Sequence, residues 1–107
     1  MVSGDALYVT DFNLHVVFQV DVHFQRFFPL VTAGVLFRPS GLAVDDAGNL
    51  LVCDTRHNAI KIFRPDGQLL HQLDSIGSSR LNQPTDIALL KTGFLALLDL
   101  NGRVTVF

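Results

Sequence analysis

The chain has 107 residues and carries 8 Lys+Arg against 10 Asp+Glu, which gives a formal net charge of −2. No block of like charges occurs, which argues against a phosphate-binding tail and against a helix lying on a membrane surface. The hydrophobic content of 49% is high for so short a chain. It favours surfaces that other structure covers.

The cysteine content and the termini carry little targeting information. A single cysteine, Cys53, rules out an internal disulfide, and no Asn-x-Ser/Thr sequon occurs, so we expect a reducing, cytoplasmic location. No cationic segment followed by an apolar run begins the chain, so no signal peptide is predicted. The most apolar stretch, residues 87–100, contains Lys91 and Asp99 and is not expected to span a membrane.

The first predicted unit covers about residues 1–37. Its pattern predicts three strands, at about Ala6–Thr10, His15–Val20 and Val22–Pro29, which correspond to the second, third and fourth strands of the later units. Phe12, Phe24, Phe27 and Phe28 could form an interaction patch, but Phe24 and Phe28 have the period-2 spacing of one side of a strand, so we expect these two to pack against other structure.

The second unit, about residues 38–82, predicts four strands. Leu50–Cys53 is fully apolar, as expected for a strand buried on both faces. Glycines at Gly48 and Gly67 predict tight turns that need positive φ. The four predicted strands are Ser40–Asp45, Leu50–Cys53, Ala59–Phe63 and Gln68–Leu73.

The third unit, about residues 83–107, repeats the second and ends after three predicted strands. Pro39 matches Pro84, and Gly48 matches Gly93, each 45 positions apart. Asp54 matches Asp99 at the same distance, and Asp11 precedes Asp54 by 43. Four short strands in about 45 residues, repeated, are typical of the blades of a β-propeller. The predicted fold is therefore all-β, a partial propeller of antiparallel four-stranded blades.

Two motifs resemble the NHL repeat: Pro-x-Gly-Leu-Ala-Val-Asp-x-x-Gly-Asn-Leu-x-Val-x-Asp at residues 39–54, and Asn-x-Ile-x-Ile-Phe-x-x-Asp-Gly at residues 58–67. The Asn-His-Leu tripeptide that names the family is absent, and Arg56-His57-Asn58 stands in its place. The resemblance implies a six-bladed ring, of which this chain would supply about two and a half blades. It also implies that the chain is the last part of a longer protein, or a truncated product of its gene.

Many NHL propellers end tripartite-motif ubiquitin ligases and their relatives, where they select protein or RNA partners. The resemblance therefore implies a non-catalytic protein-interaction module, the partner-recognition end of a larger protein such as a ubiquitin ligase. RNA binding by the loop face is an alternative. A propeller lyase or hydrolase is a third and less favoured one, because no nucleophile triad or set of converging metal ligands stands out.

Recognition in such folds belongs to the loops. The loops after each second strand and the loops between units are expected to share one face, and Arg56 and His57 are its first candidates because arginine can bind carboxylate or phosphate in bidentate fashion. The alternative is an ordinary solvated polar surface. The candidate partner-binding residues are His15, Arg38, Arg56, His57, Arg80, Asn82, Asn101 and Arg103.

Residues repeated in every unit are expected to be structural. Asp11, Asp54 and Asp99 each end a strand, and a strand-end aspartate accepts backbone N–H bonds in the turn that follows. Gly48, Gly67 and Gly93 are assigned to turns. No metal or cofactor is predicted, since the four histidines do not converge, and Cys53 is expected to be an inert buried thiol.

A stack of so few sheets leaves two apolar faces open. Burial lost there would amount to something of the order of 10 kcal/mol, comparable to the stability of a typical domain. We therefore expect the isolated chain to be unstable, or to associate with the remaining blades or with itself through the open faces.

Overall fold

A computed structural model describes residues 2–3, 6–23, 25–32, 34–77 and 79–107. Within these residues every regular element is a β-strand, apart from a 3₁₀ turn at Thr55–His57. The all-β prediction is confirmed. In the described part of the chain, no helix has the length and apolar character needed to cross a membrane.

Sheet I is antiparallel and has four strands: β1 (Val2–Ser3), β2 (Ala6–Asp11), β3 (Val16–Asp21) and β4 (Arg26–Val31). The prediction of three strands missed the short β1. It also began the last strand too early, because Asp21 Oδ1 accepts a bond from the His23 N–H at 3.0 Å and holds a turn there.

The predicted packing of Phe28 is wrong. Its side chain is 46% exposed, and Phe27 beside it is 70% exposed. Both lie on β4, the outermost strand of sheet I, where few residues cover it. Phe24 lies outside the described residues.

Sheet II is also four-stranded and antiparallel, in chain order. All four strands agree with the predicted ones to within one residue at each end. Gly48 and Gly67 adopt φ values of 85° and 92° in its turns, which only glycine takes without strain. The strands are β5 (Pro39–Val44), β6 (Leu50–Asp54), β7 (Ala59–Phe63) and β8 (Leu69–Leu73).

Sheet III has three strands, β11 (Pro84–Leu89), β12 (Leu95–Asp99) and β13 (Val104–Val106). Between sheets II and III runs a small two-stranded ribbon of β9 (Ser75–Ile76) and β10 (Ser79–Arg80). The ribbon was not predicted, since its two-residue strands are too short to show an alternating pattern.

The sheets stack face to face, and sheet II is the middle layer. Its central strand β6 alternates between two apolar cores: Leu50 and Val52 lie in one, and Leu51 and Cys53 lie in the other. The first core joins sheets I and II through Tyr8, Val17, Val31, Leu36, Leu50, Val52 and Phe63. The second joins sheets II and III through Ala43, Leu51, Cys53, Ile60, Leu81, Ile87 and Leu97.

Strand β5 of sheet II and strand β11 of sheet III are in close contact at Gly41. A Cβ added there would lie 2.6 Å from the Asp86 Cα and 2.9 Å from the Thr85 carbonyl oxygen. Glycine at this position of sheet II therefore lets β5 and β11 approach each other, whereas the matching position of sheet III is Asp86.

Candidate partner-binding face

Two classes of loop meet on one edge of the stacked sheets, which we call the loop face. It comprises the loops that follow β2, β6 and β12 together with the segments that join one sheet to the next. The Arg56 N–H donates to the Phe37 carbonyl oxygen at 3.1 Å, and the Leu100 N–H donates to the Gln83 carbonyl oxygen at 3.0 Å. Each bond joins a loop within a sheet to a segment between sheets.

Asp54 is the buried centre of this face. Strand β6 delivers its side chain to a position with no solvent exposure. Its Oδ1 accepts a bond from the Phe37 N–H at 2.7 Å, and its Oδ2 lies 2.6 Å from both Lys61 Nζ and His57 Nδ1. Lys61 Nζ also donates to the Val35 carbonyl oxygen. The buried carboxylate is thus compensated by a buried cation and by further donors.

The role predicted for Asp54 needs correction. Its backbone donor, Phe37, lies 17 residues earlier in the segment between sheets rather than in the turn that follows. Asp11 and Asp99 differ from it, because each accepts two backbone bonds from its own turn. The donors are the N–H groups of Asn13 and Leu14 at 2.9 Å, and those of Asn101 and Arg103 at 3.0 Å.

His57 is held by this carboxylate and still reaches solvent. His57 Nδ1 lies 2.6 Å from Asp54 Oδ2 and 3.2 Å from Lys61 Nζ. Because a carboxylate only accepts and this contact is the shorter one, we assign the imidazole proton to Nδ1, donating to Asp54. Nε2 then keeps its lone pair. The His57 side chain is 42% exposed, which leaves this nitrogen free for a partner's donor.

Phe37 lies between two histidine rings. Its ring centroid is 5.1 Å from that of His15 and 5.9 Å from that of His57, both in edge-to-face geometry. Nearby, the Arg38 guanidinium carbon lies 4.6 Å from the centroid of the Phe12 ring, a cation–π contact. Sequence reasoning missed Phe37, because only the stacking of sheets I and II brings the two histidines to it.

His15 also joins sheet I to sheet II. Its Nδ1 accepts a bond from the Arg38 N–H at 2.9 Å. In the next unit Asn58 Oδ1 accepts the corresponding bond from the Gln83 N–H, also at 2.9 Å. His15 and Asn58 each stand four residues after the unit's aspartate, and Arg38 and Gln83 each precede the unit's proline.

These paired contacts form a repeated latch between consecutive sheets. All four residues have positive φ, from 45° at Gln83 to 60° at His15, which residues other than glycine adopt only where surrounding contacts hold them. His15 therefore has a structural role beside the partner-binding role predicted for it. Asn58 has the same structural role, and the sequence analysis did not single it out. The shared offset from the aspartate was the signal that could have found it.

Exposed and half-buried side chains gather at the junction of sheets I and II on the loop face, and we call this set the aromatic patch. Its apolar members are well exposed, at 48% for Phe12, 57% for Leu14 and 46% for Phe37. Arg56 is exposed and makes no side-chain hydrogen bond or ion pair within the described part of the chain. The patch comprises Phe12, Leu14, His15, Phe37, Arg38, Arg56 and His57.

The other four predicted residues gather elsewhere, at the junction of sheets II and III. A small pocket there has a volume of about 100 Å³, and the buried side chains of Leu81, Pro84 and Leu97 form part of its wall. We call it the arginine pocket. Its exposed polar lining residues are Arg80, Asn82, Asn101 and Arg103. The eight predicted residues therefore divide equally between two regions of the loop face.

Among the described residues no group of three or more His, Cys, Asp or Glu side chains is arranged to hold a metal ion. Cys53 lies inside the second core, and its burial, together with the nearby Asp86 carboxylate, raises the pKa of its thiol to about 12. The thiol therefore stays protonated at neutral pH and is a poor nucleophile.

Comparison with known proteins agrees with this architecture. The NHL repeat model matches residues 38–63. Protein wech of Drosophila melanogaster is 50% identical over 36 residues, which cover 34% of this chain and 4% of that protein. The fold thus defines a segment of a β-propeller. One of its repeats, residues 38–63, is similar to the NHL repeat.

Solved structures show the same fold at lower identity. A gluconolactonase from Xanthomonas campestris superposes with a TM-score of 0.75 at 24% identity, over 88% of this chain and 31% of that one. A virginiamycin B lyase from Staphylococcus aureus gives 0.72 at 15% identity, over 100% and 39%. The chain therefore spans about a third of these β-propeller proteins and a small part of wech.

Proposed function

We propose that the loop face is a protein-recognition surface, and that the chain is the partner-selecting end of a larger cytoplasmic NHL-repeat protein such as a ubiquitin ligase. NHL propellers generally mediate protein interactions, which supports the coarser part of this proposal. A zinc-binding RING segment encoded in the same gene would support the ligase context, and its absence would remove that context without affecting the recognition surface.

The aromatic patch carries the proposal. Interface hot spots are enriched in aromatic residues and arginine, and they cluster where water is easily excluded. Phe12 and Phe37 are about half exposed and lie beside Arg38 and Arg56. Such side chains are costly to leave in water and gain most from being covered.

The patch is also held in place before any partner arrives. The Asp54 carboxylate accepts a bond from the Phe37 backbone N–H and contacts the His57 ring at Nδ1. The buried Lys61 ammonium group pairs with the same carboxylate. Because a preorganised surface loses little conformational entropy on binding, this support favours affinity.

The charges on the loop face indicate an acidic partner. The guanidinium groups of Arg56, Arg80 and Arg103 have no side-chain partner among the described residues. The arginine pocket, at about 100 Å³, is of a size for a carboxylate side chain rather than for a large ring. Asp99 also lines this pocket, but its Oδ1 accepts the backbone N–H bonds of Asn101 and Arg103. We therefore propose a partner segment that carries Asp or Glu next to an apolar side chain.

A peptide array tests this proposal. Immobilised peptides that contain acidic residues beside Leu or Phe are probed with the full chain, then with Phe37→Ala and Arg56→Ala. Each variant is expected to lose at least about tenfold in affinity, as hot-spot truncations do. Arg64→Ala is the matched control, since Arg64 is an exposed arginine at the opposite end of sheet II. Equal binding by all four proteins would contradict the proposal.

RNA binding is a second candidate, favoured by the same three arginines, Arg56, Arg80 and Arg103, whose side chains have no partner within the described ranges. A labelled single-stranded RNA titrated at low and high salt separates the two functions. Binding that weakens steeply with salt and that Arg80→Ala and Arg103→Ala reduce would favour RNA. Affinity that does not change with salt would argue against it.

A further inference from the structure

The arginine pocket lies at an internal junction of the stack, on the side of sheet III that faces sheet II. Leu81 and Leu97 in its wall belong to the core between these two sheets. The segment that leads from sheet II to sheet III supplies one side of the pocket, and strands β12 and β13 supply the other. Contacts within the chain therefore form this pocket.

The pocket is open because a short residue stands where the preceding unit has a lysine. In sheet II, Lys61 lies opposite Val52, and its long side chain reaches the buried Asp54 carboxylate. Thr105 has the matching position in sheet III, opposite Leu97. The Thr105 side chain lines the pocket and is too short to fill the space that a lysine would occupy.

The polar residues of the connecting segment are also absent from the preceding unit. Arg80 stands 45 positions after Val35, and both belong to segments that join one sheet to the next. Asn82 stands 45 positions after Phe37. A polar residue replaces an apolar one at each position, so this lining does not serve the stacking that the two junctions share.

The lining offers hydrogen-bond donors that nothing in the described chain uses. Guanidinium and carboxamide groups each carry several N–H donors. Asp99 is the acidic residue of the lining, and its Oδ1 already accepts two backbone N–H bonds from its own turn. The two guanidinium groups outnumber this carboxylate, so the pocket favours an anion. Four lining side chains make no hydrogen bond or ion pair within the described ranges: Arg80, Asn82, Asn101 and Arg103.

We propose that this pocket binds a phosphoserine or phosphothreonine side chain of a protein partner. A phosphomonoester carries nearly two negative charges at neutral pH and three terminal acceptor oxygens, so it can use more of these donors than a carboxylate can. The inference rests on the proposed recognition function: beside its Asp or Glu residues, the partner carries one phosphorylated side chain that enters this pocket.

The shape of the site favours a phosphorylated protein over a nucleic acid. Each phosphodiester of RNA has a single negative charge, and proteins that follow an RNA strand use a groove of successive cationic and aromatic side chains. The arginine pocket is instead one small space of about 100 Å³ with a buried apolar wall.

Inorganic phosphate tests the pocket without any partner. In a titration of the full chain at constant ionic strength, the amide N–H resonances of Asn101 and Gly102 are expected to shift. The shifts are expected to be lost in Arg80→Ala and in Arg103→Ala, and to persist in Arg64→Ala, which removes an exposed arginine at the opposite end of sheet II. Equal shifts in all three variants would show an adventitious ion only and would overturn the proposal.

Thr105→Lys distinguishes a shaped pocket from a diffuse positive surface. As Lys61 does with Asp54, the new lysine is expected to pair with Asp99 and fill the space. Phosphate binding should then fall at least about tenfold, although the pocket gains a positive charge. Thr105→Ser is the matched control and should bind normally, and circular dichroism checks that both variants keep their sheets. Stronger binding by Thr105→Lys would overturn the proposal, since charge alone would then attract the anion.

Phosphorylated peptides test whether a protein partner supplies the phosphate. The peptide array is repeated with phosphoserine or serine in place of each acidic residue. Phosphoserine peptides are expected to bind at least about tenfold more tightly than their Glu counterparts, and Arg80→Ala and Arg103→Ala should remove that gain.

The outcomes of the array distinguish this inference from the proposed function. Equal binding of phosphoserine and Glu peptides would overturn the inference and leave the recognition surface in place. Absence of binding to every peptide would contradict the recognition surface itself. Binding of single-stranded RNA that Arg80→Ala abolishes, without any gain from phosphoserine, would overturn the inference in favour of a phosphodiester ligand.

Discussion

Sheets II and III have the same repeated sequence pattern, but different structure surrounds them. Sheet II is covered on both faces, and Ile60, on the face toward sheet III, has no solvent exposure. Val104, at the matching position of sheet III, is 64% exposed. The apolar sequence of a repeat therefore specifies the contact that a sheet is made for, and its place in the stack decides whether the contact is formed.

The aspartates that end β6 and β12 also differ in burial, and here the buried group is charged. Asp54 is fully buried and pairs with the nearly buried Lys61, whereas Asp99 is partly exposed and bonds to its own turn. Both sheets are covered on the side toward the preceding sheet, so the neighbours make the difference: Lys61 lies opposite Val52 in sheet II, whereas Thr105 lies opposite Leu97 at the matching position of sheet III.

Replacing these aspartates should have the largest effect. Asp54→Ala leaves Lys61 as an uncompensated buried charge and is expected to lower the free energy of unfolding by about 3–5 kcal/mol. Asp99→Ala removes turn bonds near solvent and is expected to cost only about 1 kcal/mol. Urea unfolding at concentrations where the chain is monomeric measures both. Equal costs would mean that the Asp54 cluster is not buried as described.

Truncating the matched apolar residues is the next test. Ile60→Ala is expected to lower the free energy of unfolding by about 2–5 kcal/mol, the usual cost of a cavity in a core. Val104→Ala should change it by less than about 0.5 kcal/mol in the monomer, because Val104 is solvated there. Chemical denaturation of the two variants side by side gives the comparison, and a costly Val104→Ala in the monomer would contradict the open face.

The raised pKa of the Cys53 thiol predicts that the free energy of unfolding depends on pH, because Cys53 lies in the core between sheets II and III. Burial and the Asp86 carboxylate raise the pKa of this thiol from 9.0 to about 12 in the folded chain. Between pH 9 and 12 the unfolded chain loses the thiol proton and the folded chain keeps it, so stability falls as pH rises. The slope is about 1.4 kcal/mol per pH unit, and below pH 9 the effect vanishes.

Cys53→Ala is the control for that slope, because other groups also titrate in the same range. The difference in free energy of unfolding between the two proteins should change with pH above 9 and stay constant below it. A thiol reagent at neutral pH should leave the folded chain unmodified. Rapid modification without unfolding would show that Cys53 is not in a closed core.

The smallest expected effect concerns the latch between sheets. Asn58→Ala removes the acceptor for the Gln83 N–H and is expected to cost about 1 kcal/mol. Asn58→Asp retains both an acceptor oxygen and the tolerance for positive φ, so its free energy of unfolding should stay close to that of the parent chain. Thermal unfolding of Asn58→Ala and Asn58→Asp measures both effects. An equal loss of stability in the two variants would show that the Gln83–Asn58 hydrogen bond contributes nothing.

The sequence predicted sheet II well because its signals are local. The apolar run of β6 and the glycine turns at Gly48 and Gly67 each depend on a few neighbouring residues. The same reasoning missed β1 and the β9–β10 ribbon, whose strands have only two residues each. Strands so short carry no alternation, and contacts elsewhere in the fold decide them.

The candidate site was less predictable, because it is assembled by stacking. Lys61 alternates with apolar neighbours in β7, a pattern that normally places lysine in solvent. Lys61 is buried against Asp54 because the segment that contains Val35 and Phe37 packs over both side chains. His15 and His57 were singled out as surface residues, but the aromatic ring between them lies 20 or more residues from each in sequence.

Matching apolar faces are covered in sheet II and open in sheet III. Amide hydrogen exchange of the full chain tests this difference most directly, at concentrations below and above the onset of association. We predict slow exchange for β6 and β7 at both concentrations, and slow exchange for β12 and β13 only at the higher one. Equal protection of both sheets in the monomer would contradict the account.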